Sequence, residues 1–316
     1  MITAENLRKR YGSRTAVDGI SFQLQPGRVT GFLGPNGSGK STTMRMAMGL
    51  DRPSAGSITI AGKPLAAHDA PLRTAGAVLD AGATHPGRTG RQHLAVLAAT
   101  HRISRRRVNE VIELTGLGAV AGKRIKGYSL GMNQRLGIAA ALLGDPKVLI
   151  FDEPVNGLDP EGVRWVRHLS RELAAEGRTV FVSSHLMSEM AQTADHVIVL
   201  GRGRIIADAP IHQVLDSEEQ RVLVRTEHAA ELAAALAASG VTIEQADAAT
   251  LQITGLASSA IGRRALEAGV ALQELTPQRS SLEDQYMKLT GDYVEYRSGA
   301  GASVEPTSLN QKPEAA

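Results

Sequence analysis

Residues 34–42 read GPNGSGKST, and a glycine-rich turn ending in Lys-Ser is suited to gripping a polyphosphate. The glycines let successive backbone N–H groups turn toward phosphate oxygens, and a helix opening at the end of the turn adds its partial positive charge. Gly34, Pro35, Asn36, Gly37, Ser38, Gly39 and Thr42 would form the cradle. Lys40 would reach the β- and γ-phosphates, and Ser41 would ligate Mg²⁺. The run at 29–33 preceding the turn reads as a strand, which is the context such a loop requires.

A second constellation lies at 148–154, VLIFDEP, an apolar strand ending in two carboxylates. Asp152 at the strand end would face the phosphate loop and hold Mg²⁺ through water. Glu153 would orient or deprotonate the attacking water. Together the two motifs predict only a P-loop nucleoside triphosphatase that uses Mg²⁺.

These groups need a scaffold that brings them to one edge. Short apolar runs at 28–32, 148–151, 179–182 and 196–200 read as buried strands of a parallel sheet. Helical patterns fall at 41–49, 91–101, 105–115, 133–143, 163–175 and 187–193. Strand and helix in alternation predict an α/β fold, a mostly parallel sheet with helices on both faces. Runs at 2–7, 21–24 and 57–60 read as antiparallel strands flanking the first helix. The pattern changes near Ala209. Strands at 221–226, 241–245, 251–254 and 270–275, with helices at 229–239 and 258–268, give the order βαββαβ of a small ferredoxin-like α+β domain. The expected division is 1–209, 210–297 including a last helix at 281–289, and a disordered tail at 298–316, which is small, polar and Pro-containing.

Three further motifs narrow the reading. Residues 128–135 are YSLGMNQR, 156–160 are NGLDP, and Ser183-Ser184-His185 ends the next strand. In this order and spacing the first 210 residues or so resemble the ABC transporter ATPases, whose cassette adds an antiparallel β subdomain and a helical subdomain to the sheet. The resemblance implies ATP as the nucleotide, and it implies roles. Tyr11 takes the place of an aromatic ring that stacks on adenine. Ser129 and Gly131 match a signature that touches the γ-phosphate of ATP bound to a second subunit. Asp159 matches an aspartate that links the two sites across a dimer. His185 matches a histidine that contacts the γ-phosphate.

Two departures stand out. The common signature is LSGGQ, whereas residues 128–132 here are Tyr-Ser-Leu-Gly-Met, which keeps Ser129 and Gly131 only. The loop that usually carries a Gln to Mg²⁺ and water has Asp80 at that place. A carboxylate can approach Mg²⁺, but when ionised it cannot donate a hydrogen bond. Both departures, with HPGRTGR at 85–91 and SLEDQYMKLTGD at 281–292, resemble the bacterial drug- and antibiotic-export ATPases that work with a separate permease.

Composition restricts the alternatives. The 316 residues contain no cysteine, which rules out disulfides, thiolate catalysis and cysteine-bound metal. A net charge of +3 supplies no phosphate-backbone surface, so no nucleic acid is expected. No window approaches the ~18 apolar residues of a membrane span, and the N-terminus lacks a signal-peptide core. The expected location is cytoplasmic, peripheral on the inner face of the cell membrane through a permease encoded separately, with a second ATPase subunit as the other partner. The basic stretch HRISRRR at 101–107 reads as a solvated face, and His85, Arg88, Arg91 and His93 as a permease-facing surface. The competing readings are a soluble ATPase acting on ribosomes or DNA, and an importer ATPase. Single copies of each motif and the lack of sustained heptads weigh against the first.

Overall fold

The computed structural model describes residues 1–80, 84–215, 221–238 and 240–278. The helix expected at 281–289 and the tail expected at 298–316 lie outside the described residues.

The N-terminal strands β1 (Ile2–Tyr11) and β2 (Arg14–Leu24) form a hairpin, and β3 (Arg28–Leu33) leads through the glycine-rich turn into α1 (Lys40–Ala47). β4 (Ala55–Ile60), α2 (Pro71–Thr74) and β5 (Ala75–Val78) follow. A helical segment comes next, α3 (Gly90–Thr100), α4 (Arg105–Leu114) and α5 (Leu130–Leu142). The chain returns to the sheet through β6 (Val148–Phe151), α6 (Pro160–Ala175), β7 (Thr179–Ser184), α7 (Met187–Thr193), β8 (His196–Gly201) and β9 (Arg204–Pro210). The remainder is α8 (Ile211–Leu215), β10 (Arg221–Arg225), α9 (Ala229–Leu236), β11 (Thr242–Gln245), β12 (Thr250–Thr254), α10 (Ser258–Glu267) and β13 (Glu274–Gln278).

Three sheets result. β2-β1-β4 is antiparallel, β5-β6-β7-β3-β8-β9 is parallel apart from β9, and β11-β12-β10-β13 is antiparallel. The six-stranded sheet is buried on both faces, and side-chain alternation divides its strands between two cores. Val29, Leu33, Leu149, Phe151, Val180, Val182, Val197 and Val199 point toward α6 and the helical segment. Phe32, Val148, Ile150, Phe181, Ile198 and Leu200 point toward the β2-β1-β4 sheet and α1. There Phe32 and Phe181 pack with ring centroids 4.9 Å apart, and Phe22 lies 6.0 Å from each.

The register is what makes a site. β3 runs beside β7 with Leu33 opposite Ser184, β7 beside β6 with Val182 opposite Phe151, and β6 beside β5 with Phe151 opposite Val78. All four strands are parallel and end within two residues of one another, so the phosphate loop, Asp152, His185 and Asp80 lie at the same end of the sheet.

The last sheet has the strand order and antiparallel pairing of the ferredoxin-like arrangement, with Val222, Val224, Leu251 and Ile253 packed under α9 and α10. One expected strand is displaced. Residues 270–273 do not join it, because Val270 instead packs into the core after α10 and donates its N–H to the Ala265 carbonyl. The strand begins at Glu274, and it tolerates Pro277 because β13 is an edge strand.

Candidate functional site

The phosphate loop is fixed from below. Gly39 caps α1 at φ +108°, and a Cβ there would sit 2.5 Å from the Ala16 carbonyl oxygen, so the turn has room only for glycine. Lys40 is nearly enclosed, with its side chain 5% exposed. Its ammonium donates to the Gly34 carbonyl at 2.6 Å and lies 3.5 Å from Glu153 Oε1. Burial pulls the Lys40 pKa below its usual value, while the charges of Glu153 and Asp152 oppose the shift. Inside the loop, Ser38 Oγ is buried without a hydrogen-bond partner among the described residues. A hydroxyl so placed is a donor for an anionic oxygen.

Asp152 and Glu153 follow β6 directly. The Asp152 N–H donates to the Val78 carbonyl at 2.8 Å. Ser183 on the neighbouring strand ties both acids. Its hydroxyl donates to Asp152 Oδ1 at 2.5 Å and accepts the Glu153 N–H at 2.8 Å. Glu153 adopts φ +49°, a left-handed conformation that is costly for a residue with a Cβ, and this turn directs its carboxylate back across the strand ends. Glu153 Oε2 then meets His185 Nδ1 at 2.8 Å. Lys40, Glu153 and His185 thus form one chain of contacts across three strand ends.

Tyr11 lies at the end of β1. Its hydroxyl donates to Asp51 Oδ2 at 3.0 Å, Arg45 holds the same carboxylate at 2.8 Å, and Lys9 Nζ stands 4.8 Å from the ring centroid. Burial and Asp51 raise the Tyr11 pKa, so the ring remains neutral. A cleft of about 350 Å³ is lined by Tyr11, Asn36, Gly37, Gly39, Lys40, Ser41, Thr42 and Glu153. Arg14 and Ala16 at the start of β2 line it too, and neither was signalled by a motif. The donors Ser41 and Asp152 are hard oxygens, the chemistry Mg²⁺ prefers. Asp80 is exposed at the same sheet edge, two residues beyond β5.

The other expected site residues sit on helix starts away from this cleft. Ser129 caps α5 and accepts the Met132 N–H at 3.2 Å. Asp159 caps α6 and accepts the Gly162 N–H at 2.8 Å. Both are exposed, and neither they nor Gly131 line the Lys40 cleft among the described residues. Tyr128, by contrast, is a buried anchor. Its hydroxyl donates to the Val120 carbonyl at 2.9 Å, and a Cβ on Gly90 would collide with it. Burial raises its pKa.

Of the basic groups, Ser104 caps α4 and Arg107 bonds the Leu142 carbonyl at 2.9 Å and Asp145 at 3.3 Å, which makes part of that stretch structural. His85 accepts the Gly87 N–H, Arg91 bonds Asn109, and His93 is half-buried on α3.

Known proteins bear on this geometry. The family described as "ABC transporter" matches residues 17–156, and a domain of unknown function matches 220–283. The bacitracin transport ATP-binding protein BcrA of Bacillus licheniformis is 34% identical over 305 residues, spanning 92% of this chain and 97% of the relative. The daunorubicin resistance ATP-binding protein DrrA3 of Streptomyces coeruleorubidus is 34% identical over 304 residues, spanning 92% and 96%. Among solved structures, cbiO1 from Clostridium perfringens, described as part of the ABC transporter complex cbiONQ, superposes with a TM-score of 0.61 at 30% identity, covering 69% of this chain and 91% of that one.

Proposed function

This chain belongs to the ABC transporter ATP-binding proteins and hydrolyses ATP, and from that premise we propose that two copies enclose two ATP molecules to drive export of a drug or antibiotic through a separate membrane permease. The observation that carries the reading is the Lys40–Glu153–His185 contact chain at the ends of three parallel strands. The Lys40 ammonium, the Glu153 carboxylate and the His185 ring lie within reach of one another, which supports roles for them toward phosphate, water and the γ-phosphate side.

The phosphate loop N–H groups, Ser38 and Lys40 would hold the polyphosphate, and Tyr11 would stack on the adenine. Glu153 would take or orient the proton of the attacking water, with His185 fixing the carboxylate from its far side. Ser41 and Asp152 would hold Mg²⁺, with Asp80 as a further oxygen from the adjoining loop. The ion supplies neutralisation of charge on the β- and γ-phosphates. The site is completed by Ser129 and Gly131 of the second copy, with Asp159 linking the two sites. The exposure of Ser129 and Asp159, and the absence of all three residues from the lining of the Lys40 cleft of their own chain, support a target on another molecule.

The export reading draws on relatives named for bacitracin transport and daunorubicin resistance over more than nine-tenths of this chain. The permease would bring the subunit to the inner face of the cell membrane. No helix among the described residues is long and apolar enough to cross one. A cassette over 1–209 and an accessory domain beginning near 210 belong to the same proposal.

Glu153→Gln tests the chemistry. Binding of a fluorescent ATP analogue should persist while phosphate release falls by about 10²–10⁴-fold. Undiminished turnover would remove Glu153 from the reaction.

A further inference from the structure

One of the signature residues that depart from the common pattern, Leu130, has a specific seat. Leu130 is 58% exposed at the start of α5, yet its side chain lies directly over Gly157 in the loop leading to Asp159. A Cβ on Gly157 would run into Leu130 Cδ2, and Gly157 itself holds φ +72°. The contact is reciprocated. Leu158 reaches back toward Gly131, where a Cβ would stand 3.3 Å from Leu158 Cδ2. Each leucine therefore covers a glycine of the opposite segment, and the space exists because both glycines lack a side chain.

A second contact, further along, joins α5 to α6 itself. The Arg135 guanidinium of α5 stacks over the ring of Trp165 on α6, its Cζ 4.2 Å from the centroid. Arg135 Nη1 also donates to the Thr115 carbonyl at 3.1 Å, which ties the stack to the end of α4. Helix α5 begins at Ser129 and α6 at Asp159, so the two capping residues stand at the starts of helices clasped at two points.

We propose that Leu130 is a positioning residue, which locks the Ser129–Gly131 segment to the Asp159 loop so that both are presented to the partner subunit as one surface. This rests on the shared-site reading above and adds to it the side chain that sets the geometry. A glycine at 130 would leave Gly157 uncovered, and the two segments would reach the second copy independently. Arg135 and Trp165 hold the distal end of the same clasp.

The experiment uses the full chain carrying Glu153→Gln, with ATP-driven dimerisation followed by analytical ultracentrifugation and nucleotide affinity measured separately on dilute protein. Leu130→Gly should raise the dimer dissociation constant about tenfold, while nucleotide affinity of the monomer stays within about twofold. Leu130→Met, which still covers the glycine, should behave like the parent. Gly157→Ala should weaken the dimer more than Leu130→Gly, since it adds a collision to the loss of contact. The double variant Leu130→Gly/Gly157→Ala should be milder than Gly157→Ala alone, a suppression that general loosening of the fold would not produce. A Leu130→Gly protein that dimerises as tightly as its parent, or a double variant whose losses simply add, would overturn the inference. Failure of the Glu153→Gln parent itself to dimerise with ATP would overturn the shared-site reading, and is read before any change at Leu130.

Discussion

The two halves of the site are built on opposite principles. At the phosphate-loop half the charged groups are braced within the chain. Lys40 is buried against Gly34 and Glu153, Asp152 is held by Ser183, and Glu153 by Ser183 and His185. At the signature half, Ser129 and Asp159 satisfy their own helix ends, and their exposed sides meet no nucleotide-binding group of the same chain among the described residues. The first half is a receptor whose charges must be fixed before the ligand arrives, because reorganisation during the reaction would cost rate. The second half is an applied surface that has to stay accessible, so it relies on backbone capping and on the Leu130–Gly157 seat for shape.

The sharpest way to break this contrast is to damage each half and ask what an isolated subunit loses. Lys40→Ala should abolish detectable hydrolysis, a loss on the order of 10²–10³-fold or more from removing a preorganised charge. It should also weaken nucleotide binding by the monomer, as read by equilibrium dialysis. Damage at Ser129 should leave that monomer binding intact. Monomer affinity equally reduced by both would erase the distinction.

A smaller effect sharpens the receptor half. Ser183→Ala removes a hydroxyl that joins the two acids, a charged hydrogen bond of about 1.5–3 kcal/mol. Turnover should fall about tenfold or more, with the ATP concentration for half-maximal rate little changed. Equal loss in both parameters would mean that Ser183 serves binding rather than placement of Asp152 and Glu153.

Much of the receptor half was legible in the sequence, because its groups lie in short contiguous runs directly after apolar strands. Ser183 was visible as part of a motif, but its role depends on the parallel register that sets it beside Asp152, which no local pattern encodes. Strand β5 is missing from the strands read in the sequence, since Ala75-Gly76-Ala77-Val78 lacks the bulk expected of a strand. The structure gives the reason. A Cβ on Gly76 would collide with the Ala141 carbonyl, so α5 crosses this strand with its backbone in contact and only small residues fit. In the signature half, the family resemblance singles out Ser129 and Asp159, but the sequence pattern starts the helices at 133 and 163, so their capping roles come from the structure, and the seat of Leu130 arises from a loop far along the chain.

Two modest effects concern the helical segment that carries the signature. Tyr128→Phe deletes the bond to the Val120 carbonyl and should cost about 1 kcal/mol of stability, measured by denaturant unfolding, without changing nucleotide binding. His93 provides a pH probe. Burial, reinforced by Arg88, lowers its pKa below the ordinary 6.5. The unfolded chain then binds the proton more tightly, so this contribution destabilises fully below the folded pKa. Its penalty is relieved as pH rises through the window up to about 6.5. His93→Gln should flatten that part of the stability–pH curve, and an unchanged curve would assign the slope elsewhere.

The central claim, that each ATP is gripped by one subunit and completed by the other, has a direct test in mixed dimers. Lys40→Ala and Ser129→Arg proteins are purified separately, shown to be inactive, and then combined, with mixed-dimer formation verified by differential tagging. In a shared site, one of the two positions in the mixed dimer pairs an intact phosphate loop with an intact signature, so ATP hydrolysis should reappear on mixing. If each site belonged to a single chain, every site would carry a defect, and a mixture of verified mixed dimers as inactive as its components would contradict the account.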